Sequence, residues 1–366
     1  LGWKPHVVNY SRMVFVSSEA ILAIILVYFL NLGILGLIIS VTISYSISII
    51  IQCIFAREKI KTSFKKEFLK KWIKISWLPL YFGIQNNIYW LDITIFTIMS
   101  GSVIGVSFWT AATFVPRLIT NTALMSTAVY PKLLQGDSQT HMSENLLHVF
   151  YFGFLLTALA IVFSKPALYV LNPIYENAHT ITVIMSIQIF LLTLSTIFQE
   201  FLKGIEKVDI NEKATFKNFI KSKLFFIPTI IIFQQIIYIS TLAITLFILI
   251  QNDYSELDLV YYWSMVALFT QAPFTLYLYI LVQKNFVLKL NIQSICKYLV
   301  ASIVSFGITY ILLENYLNYY ENLFTFIPHV LIFLVFGVLC YISSTFVIDK
   351  KIRTLFYSIL QEIKNK

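Results

Sequence analysis

The sequence predicts an all-α, polytopic integral membrane protein of about ten transmembrane helices, and three observations carry that expectation. Apolar residues make up 58% of the 366 residues, charged residues only 12%, and the mean hydropathy is +0.79. A soluble domain of this size carries roughly twice that charged fraction. Second, the chain divides into ten apolar stretches of membrane length: 13–31, 34–54, 75–99, 106–130, 147–170, 181–202, 224–250, 258–282, 297–313 and 325–347. A span needs about 20 apolar residues, so ten spans and their short loops use the whole length. Third, when the connecting segments are assigned to alternate sides, one side holds 25 of the 27 Lys and Arg, and the opposite loops hold none. Lys and Arg are retained on the cytoplasmic side during insertion. A misplaced span would scramble this alternation.

The elements follow in order. Spans 13–31 and 34–54 form a hairpin around Asn31-Leu32-Gly33. Residues 56–74 form a basic cytoplasmic linker, in which Phe64, Phe68 and Trp72 alternate with lysines. It reads either as an amphipathic helix on the inner surface or as a solvated charged linker. Residues 75–283 hold spans three to eight as one six-helix bundle, with a second basic loop at Lys203–Lys223. Residues 284–348 add a further hairpin, and 349–366 form a cytoplasmic tail. The even span number places both termini in the cytoplasm of a multi-pass plasma-membrane protein. The spans must be helices, because backbone polar groups in lipid have to be satisfied internally.

Composition also excludes. The formal charge of +9 follows from the cytoplasmic loops and favours an anionic inner leaflet, not nucleic acid. The outer loops carry only acids: Glu176, Asp253, Glu256, Asp258, Glu314 and Glu321. Cys53, Cys296 and Cys340 are far apart and form no disulfide framework. The sequon Asn9-Tyr10-Ser11 falls on the cytoplasmic side and should be silent, and no cleavable signal peptide is visible. There is no GxxxxGK[ST], HExxH or GxSxG. The expectation is no catalytic residue, no cofactor and no metal site; His329 has no partner in view. A membrane glycosyltransferase or polymerase would need a sizeable outer loop with Asp, His or Arg, and the longest here, around Glu314–Glu321, is about a dozen residues.

Polar residues inside spans are the candidates for a site. In span three, Gln85, Tyr89 and Asp92 share one helical face, Tyr81 extends it inward, and Asn86 and Asn87 adjoin it. At 1.5 Å per residue the Gln-Asn-Asn run lies roughly 15–18 Å from Ile75, and Asp92 about 25 Å. Pro79 should bend this helix near its inner end. In span four, Thr110, Thr113, Arg117, Thr120 and Asn121 fall on one stripe, with Arg117 level with the span-three amides. An Arg at that depth costs roughly 2.5–3.5 kcal/mol on insertion scales and should face protein or a water-filled cavity. It reads either as an anion site for a phosphate or pyrophosphate, or as an Arg117–Asp92 ion pair tying two helices together. Lys165, just before Pro166, reads as snorkelling to the outer headgroups or as a further substrate contact. Glu19 reads as a proton or cation site or as an interfacial carboxylate. Gln188, Gln199, Gln234, Gln235 and Gln271 read as helix-contact residues. Pro228 and Pro273 mark expected kinks.

Several of these residues resemble a known pattern. Trp77-Leu78-Pro79, Leu91-Asp92, Ser102-Val103-Ile104-Gly105, Ala111 and Tyr130-Pro131-Lys132-Leu133 resemble the seventh and eighth helices of polysaccharide flippases. These are the O-antigen and capsule repeat-unit transporters of the multidrug/oligosaccharidyl-lipid/polysaccharide exporter superfamily. Asn172-Pro173-Ile174-Tyr175-Glu176-Asn177-Ala178 resembles the outer loop before their tenth helix, and Leu202-Lys203-Gly204-Ile205-Glu206-Lys207 the inner end of that helix. The match spreads over about 130 residues. It implies part of a two-bundle, alternating-access transporter in which the ten spans are helices five to fourteen. Residues 1–55 would then be the remnant of the N-terminal bundle, with four helices preceding Leu1. The implied partners are a lipid-linked oligosaccharide, membrane lipids and a coupling proton or sodium ion. The resemblance makes Arg117, with Gln85, Asn86, Thr113, Asn121 and Lys165, the candidate substrate contacts, and Asp92 and Glu19 the candidate cation-coupling acids. A multidrug or small-cation exporter of the same superfamily is the alternative; it would carry an acidic, aromatic cleft without a mid-depth Arg.

Overall fold

The computed structural model describes residues 5–60, 66, 81, 83–84, 88, 90–123, 139–204, 220–286, 290–354 and 357. All regular structure among them is helical. Eight helices are long and apolar enough to cross a membrane, and two shorter apolar helices stand where the sequence places spans three and four. The architecture is therefore polytopic and all-α. Two compact units occur, Leu1–Leu78 and Pro79–Lys366.

In the first unit, α1 (Pro5–Ala23) passes into a π-helical stretch, Ile24–Phe29, and turns back into α2 (Gly33–Ile60). The turn requires left-handed backbone at Asn31 and Gly33, both at φ +53°. Those are the residue types that adopt it at least cost. Gly36, Ser40, Ser44 and Ser48 recur every fourth residue on α2, and all four are buried. A stripe of small side chains lets two helices approach closely in lipid. Gln52 Nε2 donates to Ser11 Oγ at 3.1 Å across the same contact.

In the second unit, α3 (Leu91–Ser100) ends at Gly101, and α4 (Ile104–Phe114) follows after a short turn. At Pro116 the helix tightens into a 3-10 stretch, Pro116–Ala123. Proline has no N–H for the Ala112 carbonyl, and its ring crowds that oxygen. The same reason breaks span five. Pro166 cannot bond to Val162, so the expected single helix becomes α5 (Gln139–Val162) and α6 (Ser164–Leu171), hinged at Phe163. Asn172 then caps a 3-10 turn, Pro173–Ala178, by accepting from Ile174 N at 3.0 Å. It leads into α7 (His179–Gly204). The remaining helices are α8 (Lys223–Gln251), α9 (Glu256–Asn285), α10 (Ile292–Tyr316) and α11 (Leu323–Ile348). Ser255, Asn291 and Asn322 cap the last three. These N-caps satisfy amide donors that a helix start leaves open. The expected kink sites Pro228 and Pro273 lie within α8 and α9, which continue on both sides of them.

Helix α7 is the centre of this unit and the most deeply buried of the long helices described. It packs against α4, α5, α8 and α9 around one apolar core. The α10–α11 hairpin packs on α5 around a second core. There Tyr341 OH donates to Tyr151 O at 2.9 Å, and Tyr298 OH donates to Asp349 Oδ2 at 2.8 Å. In lipid such hydrogen bonds and van der Waals packing hold helices together, because there is no water to drive apolar burial.

Gly105 marks the tightest approach of α4. A Cβ there would fall on the Phe96 ring and within 3.2 Å of Val260 Cγ2. Phe96 is fully buried and stacked on Trp263, so it has nowhere to move. Gly105→Ala is expected to destabilise the unit by about 1–3 kcal/mol. Thermal unfolding of the purified protein in detergent measures this; an unchanged midpoint would mean that Phe96 swings aside freely.

Candidate functional site

Three helix faces converge on one cavity of about 540 Å³. Helix α7 contributes Gln188, Leu192, Thr196, Gln199 and Lys203, spaced three or four apart and so on one face. Helix α8 contributes Ile231, Gln234, Gln235 and Tyr238, and α9 contributes Ala267, Thr270, Gln271 and Phe274. Trp90, at the start of α3, and Trp109, in the middle of α4, add aromatic surface. The volume lies within the range of roughly 300–1,000 Å³ typical of small-molecule sites. From Lys203 to Met185, both lining residues, the cavity follows α7 for about 27 Å of helix rise.

The described lining mixes polar and apolar side chains, and its two charged residues pair with each other. Glu200 and Lys203 form an ion pair at 3.1 Å at one end. Gln271 is used structurally: its Nε2 donates to Ser195 Oγ at 2.8 Å, while Thr275 Oγ1 donates to the Leu191 carbonyl at 3.2 Å. These bonds lock α9 to α7. Gln188 and Gln235 differ. Their side chains are only 5% and 6% exposed, and the Oε1 of each is buried without a hydrogen-bond partner.

Behind Tyr238 lies a buried network. Asp92, 3% exposed, accepts from Tyr238 OH at 3.0 Å through Oδ2 and from its neighbour Ile93 N at 2.7 Å through Oδ1. Tyr238 OH in turn accepts from Trp263 Nε1 at 2.7 Å. The Trp263 ring stacks on Trp109 with centroids 3.9 Å apart and planes within 3°. One residue, Tyr238, therefore touches both the cavity and the buried carboxylate.

The candidates drawn from sequence are dispersed. Gln85, Asn86, Asn87 and Tyr89 lie outside the described residues, as do Pro79 and most of the two basic loops. Asp92 and Arg117 do not form an ion pair: the carboxylate is buried against Tyr238, while Arg117 is exposed and no ion pair holds it among the described residues. The span-four stripe also splits. Thr113 is buried and donates to Thr110 O at 3.1 Å, whereas Thr110, Arg117, Thr120 and Asn121 are exposed. Past Pro116 the 3-10 turn advances about 120° per residue instead of 100°, which carries later side chains off the expected line. None of Thr113, Arg117 or Asn121 lines the cavity.

Lys165 pairs with Glu176 at 3.1 Å and lies 5.5 Å from the Tyr319 ring centre. Burial, with the Glu176 charge nearby, pushes the Tyr319 hydroxyl up to about 12, so the ring stays neutral beneath that pair. Glu19 is half-buried on α1, in the first unit.

The residues that sequence reasoning undervalued are the glutamines. Each reads from the sequence only as a helix contact. Nothing in the sequence said that the faces would meet. Compared with known proteins, the chain matches no family model, no curated protein and no solved structure.

Proposed function

We propose that the chain belongs to a plasma-membrane transporter that moves a polyprenyl-linked oligosaccharide from the cytoplasmic to the outer face, with both termini in the cytoplasm. The observation that supports this best is the cavity of about 540 Å³ between α7, α8 and α9, lined by five glutamines, two threonines and aromatic rings at membrane depth. Polar groups inside a spanning bundle are costly and mark solute pathways. The one-sided distribution of Lys and Arg supports the orientation. A coupling proton or sodium ion would act at Asp92, and the carrier phosphate would meet Arg117. The competing reading, a drug or small-cation exporter, has less support. Among the described residues the one carboxylate lining the cavity, Glu200, is paired with Lys203.

The test uses the full-length protein in proteoliposomes with a fluorescent short-chain polyprenyl-pyrophosphate oligosaccharide. The expected result is transfer across the bilayer faster than in protein-free liposomes and dependent on an ion gradient. Transfer no faster than in protein-free liposomes, with tetraphenylphosphonium transported instead, would replace this reading with the exporter one.

A further inference from the structure

We propose that the α3–α4 pair closes one end of the α7–α8–α9 cavity as a gate, and that the carboxylate of Glu256 on α9 holds it shut. The inference rests on the transport reading for the need to open that end, and on geometry for the rest.

The two ends of the cavity differ. Toward Lys203, Thr196 is exposed, and Gln199 and Glu200 are half-buried. Toward the opposite end, the lining residues Met185, Trp109, Tyr238 and Ala267 are all buried. On α9 the lining stops at Ala267. One turn further, Trp263 is fully buried and stacks on both Trp109 and Phe96. Rings from α3, α4 and α9 thus form a layer across this end.

Beyond that layer lies a polar tie. Gly105 N, in the first turn of α4, donates to Glu256 Oε2, in the first turn of α9, at 2.9 Å. A helix start leaves its first amides open and carries a positive partial charge. Local side chains usually cap it. Here Val103, at the N-cap of α4, makes no side-chain cap bond, and Ser102 Oγ accepts from Ile104 N at 3.1 Å. The next amide is capped from another helix, 151 residues away in sequence. An ionised acceptor makes such a bond roughly twice as strong as a neutral one. Glu256 is also half-buried, which limits screening by salt.

The α3–α4 pair has a hinge. The two short helices join through Gly101 at φ +66°, and at Pro116 the α-helical geometry of α4 gives way to the 3-10 stretch. Element ends of this kind absorb the backbone rotation of a domain movement. A swing of α3–α4 away from α9 parts Phe96 and Trp109 from Trp263 and breaks the Glu256–Gly105 bond. A purely structural tie predicts a different result. Its loss loosens the whole unit and raises access everywhere, whereas loss of a gate contact raises access from one side of the cavity.

The experiment labels single cysteines with an impermeant sulfonated maleimide. It uses the full chain, with Cys53, Cys296 and Cys340 replaced by serine, in intact cells and in inverted vesicles. Tyr254→Cys, exposed just before α9, identifies the side on which Glu256 lies. Thr270→Cys reports on the cavity, and Ala160→Cys, 1% exposed on α5, reports on the core. From the Tyr254 side, Thr270→Cys is expected to react about tenfold more slowly than from the other side. Glu256→Ala is expected to raise that slow rate about tenfold, by shifting the population toward the open gate. Glu256→Gln keeps an acceptor and loses the charge, so its rise should be smaller. Asp258→Ala removes a carboxylate of the same turn that accepts from Ser255 Oγ on its own chain segment, and should leave the rate unchanged. Ala160→Cys should stay unlabelled throughout. Labelling of Thr270→Cys from the Tyr254 side as fast as from the other, no rise with Glu256→Ala, an equal rise with Asp258→Ala, or labelling of Ala160→Cys in the Glu256→Ala background would each overturn the inference. No substrate is involved, so the expected labelling with a failed transfer assay would keep the gate and remove the lipid-linked glycan. Successful transfer without the expected labelling would keep transport and remove the gate from this end.

Discussion

Trp263→Ala is expected to be the most destabilising single substitution in the second unit. The side chain is fully buried, stacks on Trp109 at 3.9 Å and on Phe96 at 4.8 Å, and donates its N–H to Tyr238 at 2.7 Å. Truncating a large buried aromatic costs about 3–5 kcal/mol, because the surroundings collapse only partly into the space left. In lipid the transfer from water contributes less, and the loss falls on packing and on the hydrogen-bond network. Tyr238→Phe isolates the network. It strips one donor from Asp92 and the acceptor from Trp263 while keeping the ring, at about 1–3 kcal/mol for each buried group left unsatisfied. Thermal unfolding in detergent ranks the two. If Trp263→Ala melts at the parent midpoint, the stacked Trp109–Trp263–Phe96 array is not holding α3, α4 and α9 together.

Arg117→Ala is expected to have the largest functional effect. In the proposed transport cycle it removes a charge-assisted contact to the carrier phosphate, which weakens that contact about ten- to a hundredfold. Arg117→Lys should recover only part, since a point charge replaces a bidentate fork. Protein levels should stay normal, because the exposed guanidinium is in no ion pair among the described residues. Asp92→Asn gives an independent check. Two residues that pair would fall in abundance together when either is changed. Here the two are separate, so the Asn variant should alter dependence on the ion gradient without mirroring the Arg117 phenotype. Parental transfer of the lipid-linked glycan by Arg117→Ala, at parental abundance, would remove the phosphate from this position.

Much of the architecture was legible in the residues alone, for reasons tied to the membrane. A spanning segment must be helical and about 20 residues long, so hydropathy located the eight long helices, although span five, expected over 147–170, stops at Val162 ahead of Pro166. Asn31-Leu32-Gly33 marked the first hairpin, because few residues tolerate left-handed backbone. Proline effects were visible in part. Pro116 and Pro166 end α-helical geometry where continuous spans were expected, whereas Pro228 and Pro273 lie within continuous helices.

What the sequence determined by itself is composition along the chain: where apolar length suffices for a span, which loops are basic, and which polar residues share a helical face. Those properties are local, set by a fixed rise and a fixed angle per residue. What only the tertiary structure decided is which faces meet. Gln188, Gln235 and Gln271 are equivalent amides one by one. Packing of α7 on α9 satisfied Gln271 through Ser195, whereas Gln188 and Gln235, whose residues line the cavity, were left with buried Oε1 atoms that have no protein partner. Likewise Asp92 could have reached Arg117 by depth alone. Tyr238 on α8 took the carboxylate instead, and Arg117 is exposed at the start of the 3-10 stretch. Partners separated by more than a hundred residues depend on how helices cross, and periodicity within one helix carries no record of that crossing.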